Sequence, residues 1–107
     1  MKTILVVFEN TQHWKHCLYH FVKLIAQKED IKEVSINNGI VKTENTMYQL
    51  VGLGFPFVSQ GDPVFEKLKG YRFEHVMIHN DVLLTKYAEF VIKSRMQEVK
   101  DFEEFDL

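Results

Sequence analysis

The first apolar segment of the chain, residues 3–8, reads TILVVF and contains no charged side chain. A continuous run rich in β-branched residues is typical of a strand buried on both faces in a parallel sheet. Residues 12–28 then follow a helical pattern, because apolar side chains recur every three or four positions. The members of that stripe are Trp14, Leu18, Phe21, Val22 and Ile25. We therefore expect a central strand covered by a helix.

A β-hairpin is the next predicted unit. Val34 and Ile36 alternate with polar neighbours, and residues 40–42 lead away from a turn formed by Asn37, Asn38 and Gly39. An Asn-Gly pair between two apolar segments is a strong short-range hairpin signal. A further strand over residues 46–51 is expected to extend the hairpin.

The second half of the chain predicts three further elements after a loop over residues 52–61, GLGFPFVSQG. A short helix over 62–70 begins with Asp62 as the cap and Pro63 in the first helical position. The segment RFEHVMIH, residues 72–79, forms a strand, and Asp81 caps a last helix over 82–99. The predicted buried stripe of that helix is Leu84, Ala88, Val91 and Val99.

This order, β-α-β-β-β-α-β-α, indicates an α/β fold with a mixed sheet, a central parallel pair of strands and flanking helices. A length of 107 residues with 46% hydrophobic content is enough for one small domain. We assign that domain to residues 1–100. The remaining residues, 101–107, read DFEEFDL and form an acidic, aromatic C-terminal tail, which is either a frayed terminus or a docking segment.

Charge and cysteine content narrow the classes of function. The net charge is −2, and the sequence lacks the strong basic patch that is typical of a nucleic-acid binder. The longest apolar segments are far shorter than the roughly 20 residues needed to cross a bilayer, so no membrane partner is expected. A single cysteine permits no internal disulfide. We expect a cytoplasmic protein.

Polar residues cluster after two of the predicted strands. If the strands over 3–8 and 72–79 are parallel neighbours, their carboxyl ends meet at one sheet edge, where α/β proteins bind ligands. These residues can cap helices, bind a phosphate or another anion, or act as general acid and base. The ligand-binding candidates are Glu9, Asn10, Thr11, His13, His79, Asn80 and Asp81.

The segment HWKHCLYH, residues 13–20, places three histidines and the cysteine on one predicted helix. His13, His16 and His20 share a face, and helical spacing can bring imidazoles around one metal ion, with Cys17 as a further ligand. A helical surface alone does not close a tetrahedral site, and no HExxH or CxxC pattern accompanies it. We therefore predict a solvated helix face and no bound metal or other cofactor.

Residues 36–81 resemble the second half of a RecA-like ATPase core of the phage terminase or helicase kind. The resemblance rests on N-N-G-I-V-K-T at the hairpin and on F-E-K-L-K-G-Y-R-F-E-H-V-M-I-H-N-D. Asp81 matches the family's metal-supporting carboxylate, whereas E-N-T-Q-H-W-K-H stands where the family has its phosphate-binding G-x-x-x-x-G-K-[ST]. The resemblance implies a miniaturised relative without ATPase activity, of phage or mobile-element origin.

The function predicted from these observations is the binding of another macromolecule, with a protein as the partner, rather than catalysis. Large aromatic side chains on a loop or a tail are typical anchors of interfaces. The interaction candidates are Phe55, Phe57, Phe102 and Phe105. The alternative is a nucleotide-binding or anion-binding protein, or a hydrolase, that uses the residues at the strand ends.

Overall fold

A computed structural model gives the fold of the chain. It describes residues 2–8, 14–52, 73–79, 90, 92–93, 99 and 101–106. The predicted short helix over 62–70 and most of the loop that precedes it lie outside the described residues. The radius of gyration, 12.9 Å, matches the value of about 13 Å expected for one compact domain of this length.

The described residues form one mixed sheet of six strands and one helix whose bounds are defined. In chain order these are β1 (Lys2–Phe8), α1 (Trp14–Ala26), β2 (Ile31–Ser35), β3 (Ile40–Thr43), β4 (Thr46–Gly52), β5 (His75–His79) and β6 (Asp101–Phe105). The strands lie in the order β2-β3-β4-β1-β5-β6. An α/β architecture is therefore confirmed. The described part of the chain contains no helix with the length and apolar character needed to cross a membrane.

Strand β1 occupies an interior position in the sheet, as its apolar sequence predicts. It pairs in parallel with β4 on one side and with β5 on the other. Its last five residues, from Ile4 to Phe8, are all buried. The predicted parallel pairing of the first strand with the strand that ends at His79 is thus confirmed.

Helix α1 covers one face of the sheet. Leu18, Phe21 and Ile25 are buried there against side chains of β1, β4 and β5. The Phe21 ring meets Phe8 edge to face, with 6.5 Å between centroids. The helix ends at Ala26, two residues before the predicted end, and a turn follows in which the amides of Lys28 and Glu29 both donate to the Ile25 carbonyl.

The opposite face of the sheet is covered by a different set of apolar side chains. Leu5, Val7, Val76 and Ile78 contribute from the strands. Ile92, which is helical, is completely buried against them, although the predicted stripe of the last helix did not include it. Of that predicted stripe, Val99 packs partly buried on this cluster, and Leu84, Ala88 and Val91 lie outside the described side chains.

The predicted hairpin is confirmed by the antiparallel pairing of β2 with β3. Gly39 in the connecting turn has a φ of 65°, in the left-handed region that glycine adopts without steric cost. The buried side chain of Gln49 supports this turn, because its Nε2 donates to the Asn38 carbonyl at 2.8 Å. Strand β4 extends the hairpin by antiparallel pairing with β3, as expected.

The C-terminal segment differs from the expectation of a frayed or docking tail. Asp101–Phe105 forms β6, which pairs in parallel with β5 along its whole length. Phe105 is 8% exposed, and its ring contacts Phe8 and Phe21 with centroid distances of 5.8 and 6.0 Å. The free energy of burying this aromatic ring, together with the backbone pairing, holds the acidic segment in the sheet.

Replacing Phe105 by alanine is expected to lower the free energy of unfolding by about 3–5 kcal/mol, the usual loss for a buried phenylalanine. Urea denaturation measures this loss. The matched control is Glu104→Ala, which removes an exposed side chain from the same strand and should change stability by less than about 0.5 kcal/mol. Equal stabilities of the two variants would contradict a structural role for β6.

Candidate functional site

The carboxyl ends of four parallel strands meet at one edge of the sheet. Gly52 of β4 is in register with Phe8 of β1, and His79 of β5 is in register with Phe105 of β6. In open α/β sheets, ligands bind outside such ends, where neighbouring connections leave in opposite directions. Here the chain leaves β1 towards β4 and leaves β5 towards β6. The boundary between β1 and β5 is therefore the position at which this fold class binds ligands.

His79 is the predicted ligand-binding residue that the structure describes at this edge. Its ring centroid lies 5.2 Å from that of Phe8 and 5.2 Å from that of Phe105. The imidazole is half-buried and packs against both phenyl rings, which also contact each other. The other candidates, which follow the strands directly in sequence, lie outside the described residues: Glu9, Asn10, Thr11, His13, Asn80 and Asp81.

The fold places the side chains of the histidine-rich helix segment in different environments. His16 and His20 are brought together, with 3.0 Å between their Nε2 atoms and a T-shaped ring contact. Cys17 is half-buried and packs against the core on the α1 side of the sheet, and His13 lies outside the described residues. Within the described part of the chain, no group of three or more His, Cys, Asp or Glu side chains is arranged to hold a metal ion.

The predicted aromatic anchors also occupy different environments. Phe105 is a core side chain, as described above. Phe102 is half-buried against the cluster formed by Leu5 and Val76, and the Lys93 ammonium lies 4.9 Å from its ring centroid. Phe55 and Phe57 lie outside the described residues.

A hydrogen-bonded pair of side chains on neighbouring strands was not predicted. His75 Nε2 of β5 lies 2.9 Å from Glu103 Oε2 of β6, and the His75 side chain is only 18% exposed. The parallel register puts the two residues on the same face of the sheet. A carboxylate that hydrogen-bonds to an imidazole fixes the orientation of the ring, so this pair ties β6 to β5. No local sequence pattern could have found it, because 28 residues separate the partners.

A second unpredicted cluster joins the end of α1 to the sheet. The Glu29 carboxylate accepts a hydrogen bond from Tyr48 at 2.8 Å and another from Thr43 at 3.1 Å. Burial raises the pKa of Tyr48 above its usual value, and the hydrogen bond to Glu29 and the negative charges of Glu29 and Glu103 raise it further. This arrangement keeps Tyr48 neutral and makes it a structural hydrogen-bond donor.

The raised pKa of Tyr48 predicts a loss of stability in alkali. Above about pH 10 the unfolded chain releases the phenolic proton while the folded chain retains it, so the free energy of unfolding falls as the pH rises. Tyr48→Phe should make that fall shallower, by the slope that corresponds to the release of about one proton on unfolding. Urea denaturation at several pH values between 9 and 11 tests this. The control Tyr19→Phe, at an exposed ring of α1, should retain the original slope, and equal slopes for all three proteins would contradict the assignment.

Comparison with known proteins gives no family assignment: no protein-family model, no curated protein and no solved structure matches the chain. The resemblance of residues 36–81 to a RecA-like ATPase core stays a prediction, as do the phage or mobile-element origin and the cytoplasmic location.

Proposed function

We propose that this chain is a binding module for another protein, and that the partner adds an extended segment to the edge strand β2. The observation that carries the proposal is the exposure of this strand. Lys32, Glu33 and Val34 of this strand are all exposed, with Val34 at 40%, and Ile36, which follows the end of β2 in the turn, is 50% exposed. Exposed β-branched residues on an edge strand are suited to pairing with a second polypeptide.

The position of β2 in the sheet supports this mode of binding. It pairs with β3 alone among the described strands, because it is first in the sheet order. An edge strand presents backbone N–H and C=O groups that an added strand can pair with, which gives affinity, while side-chain contacts give specificity. A partner of matching chemistry has an acidic residue opposite Lys32 and an apolar residue opposite Val34.

The irregularity in β2 favours selective pairing. The register with β3 shifts between Ile31 and Glu33, which leaves Glu33, Val34 and Ser35 as the regular part of the strand. Bulges and lysines at an edge hinder indiscriminate association with other strands. A short partner segment, paired along these residues, is therefore better suited than a long flat strand.

The opposite edge of the sheet is a weaker candidate. On β6, Asp101, Glu103 and Glu104 are exposed, whereas the apolar residue Phe105 is buried in the core. An incoming strand there would meet a row of carboxylates with little apolar surface to bury. The contrast between the two edges supports β2 as the interface.

A photo-reactive amino acid placed at Val34 is expected to cross-link a partner polypeptide in the cells that produce this protein. The matched control has the same group at Tyr19, which is 57% exposed on α1, and should not cross-link that polypeptide. Mass spectrometry of the adduct identifies the partner and the segment that contacts Val34.

Three outcomes would contradict this proposal. They are the absence of any adduct from Val34, the same adducts from Val34 and Tyr19, and an adduct whose partner is a second copy of this chain. The last result would replace a separate partner protein by self-association.

A second candidate function is the binding of a nucleotide or another anion at the carboxyl edge of the sheet. The observation that favours it is the parallel pairing of β1 with β5, which brings Phe8 and His79 together at the edge where α/β sheets bind ligands. Asp81 follows this edge in the sequence and is the residue through which this function can be tested.

If this second function operates, ATP, GTP or inorganic phosphate should raise the thermal midpoint, by about 5 °C or more near ten times the Kd. Asp81→Ala should abolish the increase for the ligand that causes it, and Glu104→Ala, on β6, should retain it. If none of the three ligands changes the thermal midpoint, the second function is contradicted and protein binding remains the proposed function.

A further inference from the structure

Two imidazole nitrogens face each other on α1. His16 and His20 are separated by one helical turn, a spacing that places both side chains on the same helix face. Their Nε2 atoms are 3.0 Å apart, and the contact lies at an exposed position. The rings meet at 78° with 4.2 Å between centroids. The two nitrogens that can bind a metal ion therefore lie next to each other at the helix surface.

The separation of the two nitrogens fits adjacent positions around a transition metal ion. With metal-nitrogen bonds of about 2.0–2.1 Å, two ligands at 90° are about 2.9 Å apart, and two at the tetrahedral angle are about 3.3 Å apart. The observed 3.0 Å is nearer to the first value. Tetragonal coordination with neighbouring ligands at 90° is typical of Cu²⁺ and Ni²⁺, and both ions prefer imidazole.

We propose that His16 and His20 form a two-imidazole binding site for a divalent transition metal ion, Cu²⁺ or Ni²⁺. Water fills the remaining positions, because no third ligand accompanies the pair among the described residues. This site is independent of the proposed protein-binding function, since β2 supplies none of its ligands.

The proton that joins the two rings must move when the metal binds. The hydrogen bond between the two Nε2 atoms in the metal-free chain requires that one of them carries the shared proton. That ring must carry its proton on Nδ1 instead, so that both Nε2 lone pairs can bind the metal. Metal binding through both Nε2 atoms therefore costs one hydrogen bond and a change of tautomer.

The groups around the pair leave this site accessible. Cys17, next to His16, packs towards the core, so the site needs no thiolate. Lys23 is held over the Tyr19 ring, with its Nζ 4.5 Å from the centroid, and salt and water screen its charge at this exposed surface.

Isothermal titration calorimetry of the whole chain with NiCl₂, and separately with CuCl₂, tests the proposal. We expect one ion per chain for the unmodified protein. His16→Ala and His20→Ala should each weaken binding about tenfold or more, because the remaining imidazole no longer benefits from a linked second ligand. The double variant should lose this binding. His75→Gln, which changes a histidine on β5, and Cys17→Ser should both retain it.

Circular dichroism shows whether each variant keeps the helix, so that a loss of binding is not mistaken for unfolding. The proposal is overturned if the unmodified chain binds neither ion, if the folded double variant binds as tightly as the unmodified chain, or if His75→Gln or Cys17→Ser removes the binding while the chain remains folded.

Discussion

Strand β1 has apolar side chains on both faces, and the rest of the structure depends on covering both of them. Ile4, Val6 and Phe8 lie on the α1 side, and Leu5 and Val7 lie on the other. Burying each such side chain contributes about 1.5–3 kcal/mol, so neither face can remain in water without a large loss. Parallel pairing with both neighbours then requires long connections across the faces. Helix α1 lies in the connection that leaves β1, and Ile92 lies in the connection between β5 and β6, which are also a parallel pair.

The parts of the fold that the sequence predicts are those with strong local patterns. The apolar run of β1, the helical spacing of Leu18, Phe21 and Ile25, and the Asn-Gly turn each identify their element without distant information. β6 could not be predicted in this way. Its two phenylalanines are three residues apart, which fits the spacing of a helix rather than the two-residue period of a strand, and three of its five residues are acidic. Its partner β5 precedes it by more than 20 residues, and only the assembled core reveals the place that Phe105 fills.

The side-chain contacts of the candidate sites also differ in whether local sequence patterns predict them. The contact of His16 with His20 follows from a spacing of four residues on a helix, so the sequence contains the information for it. The Glu29 contact with Tyr48 and the His75 contact with Glu103 connect elements that meet only through the sheet order. The strand-end residues are only partly predictable from the sequence. Their common edge follows from the pairing of β1 with β5, whereas the direction of each side chain depends on the connections after the strands.

The sheet order also separates the surfaces that could bind ligands. Four strand spacings lie between β2 and β5, which at about 4.8 Å each corresponds to roughly 19 Å. Substitutions further apart than about 7–10 Å without shared partners usually act independently. Val34 on β2 and His79 on β5 therefore probe different surfaces, and a change at one should leave binding at the other intact. Coupling between them would require the sheet itself to have two arrangements, which the continuous packing around β1 opposes.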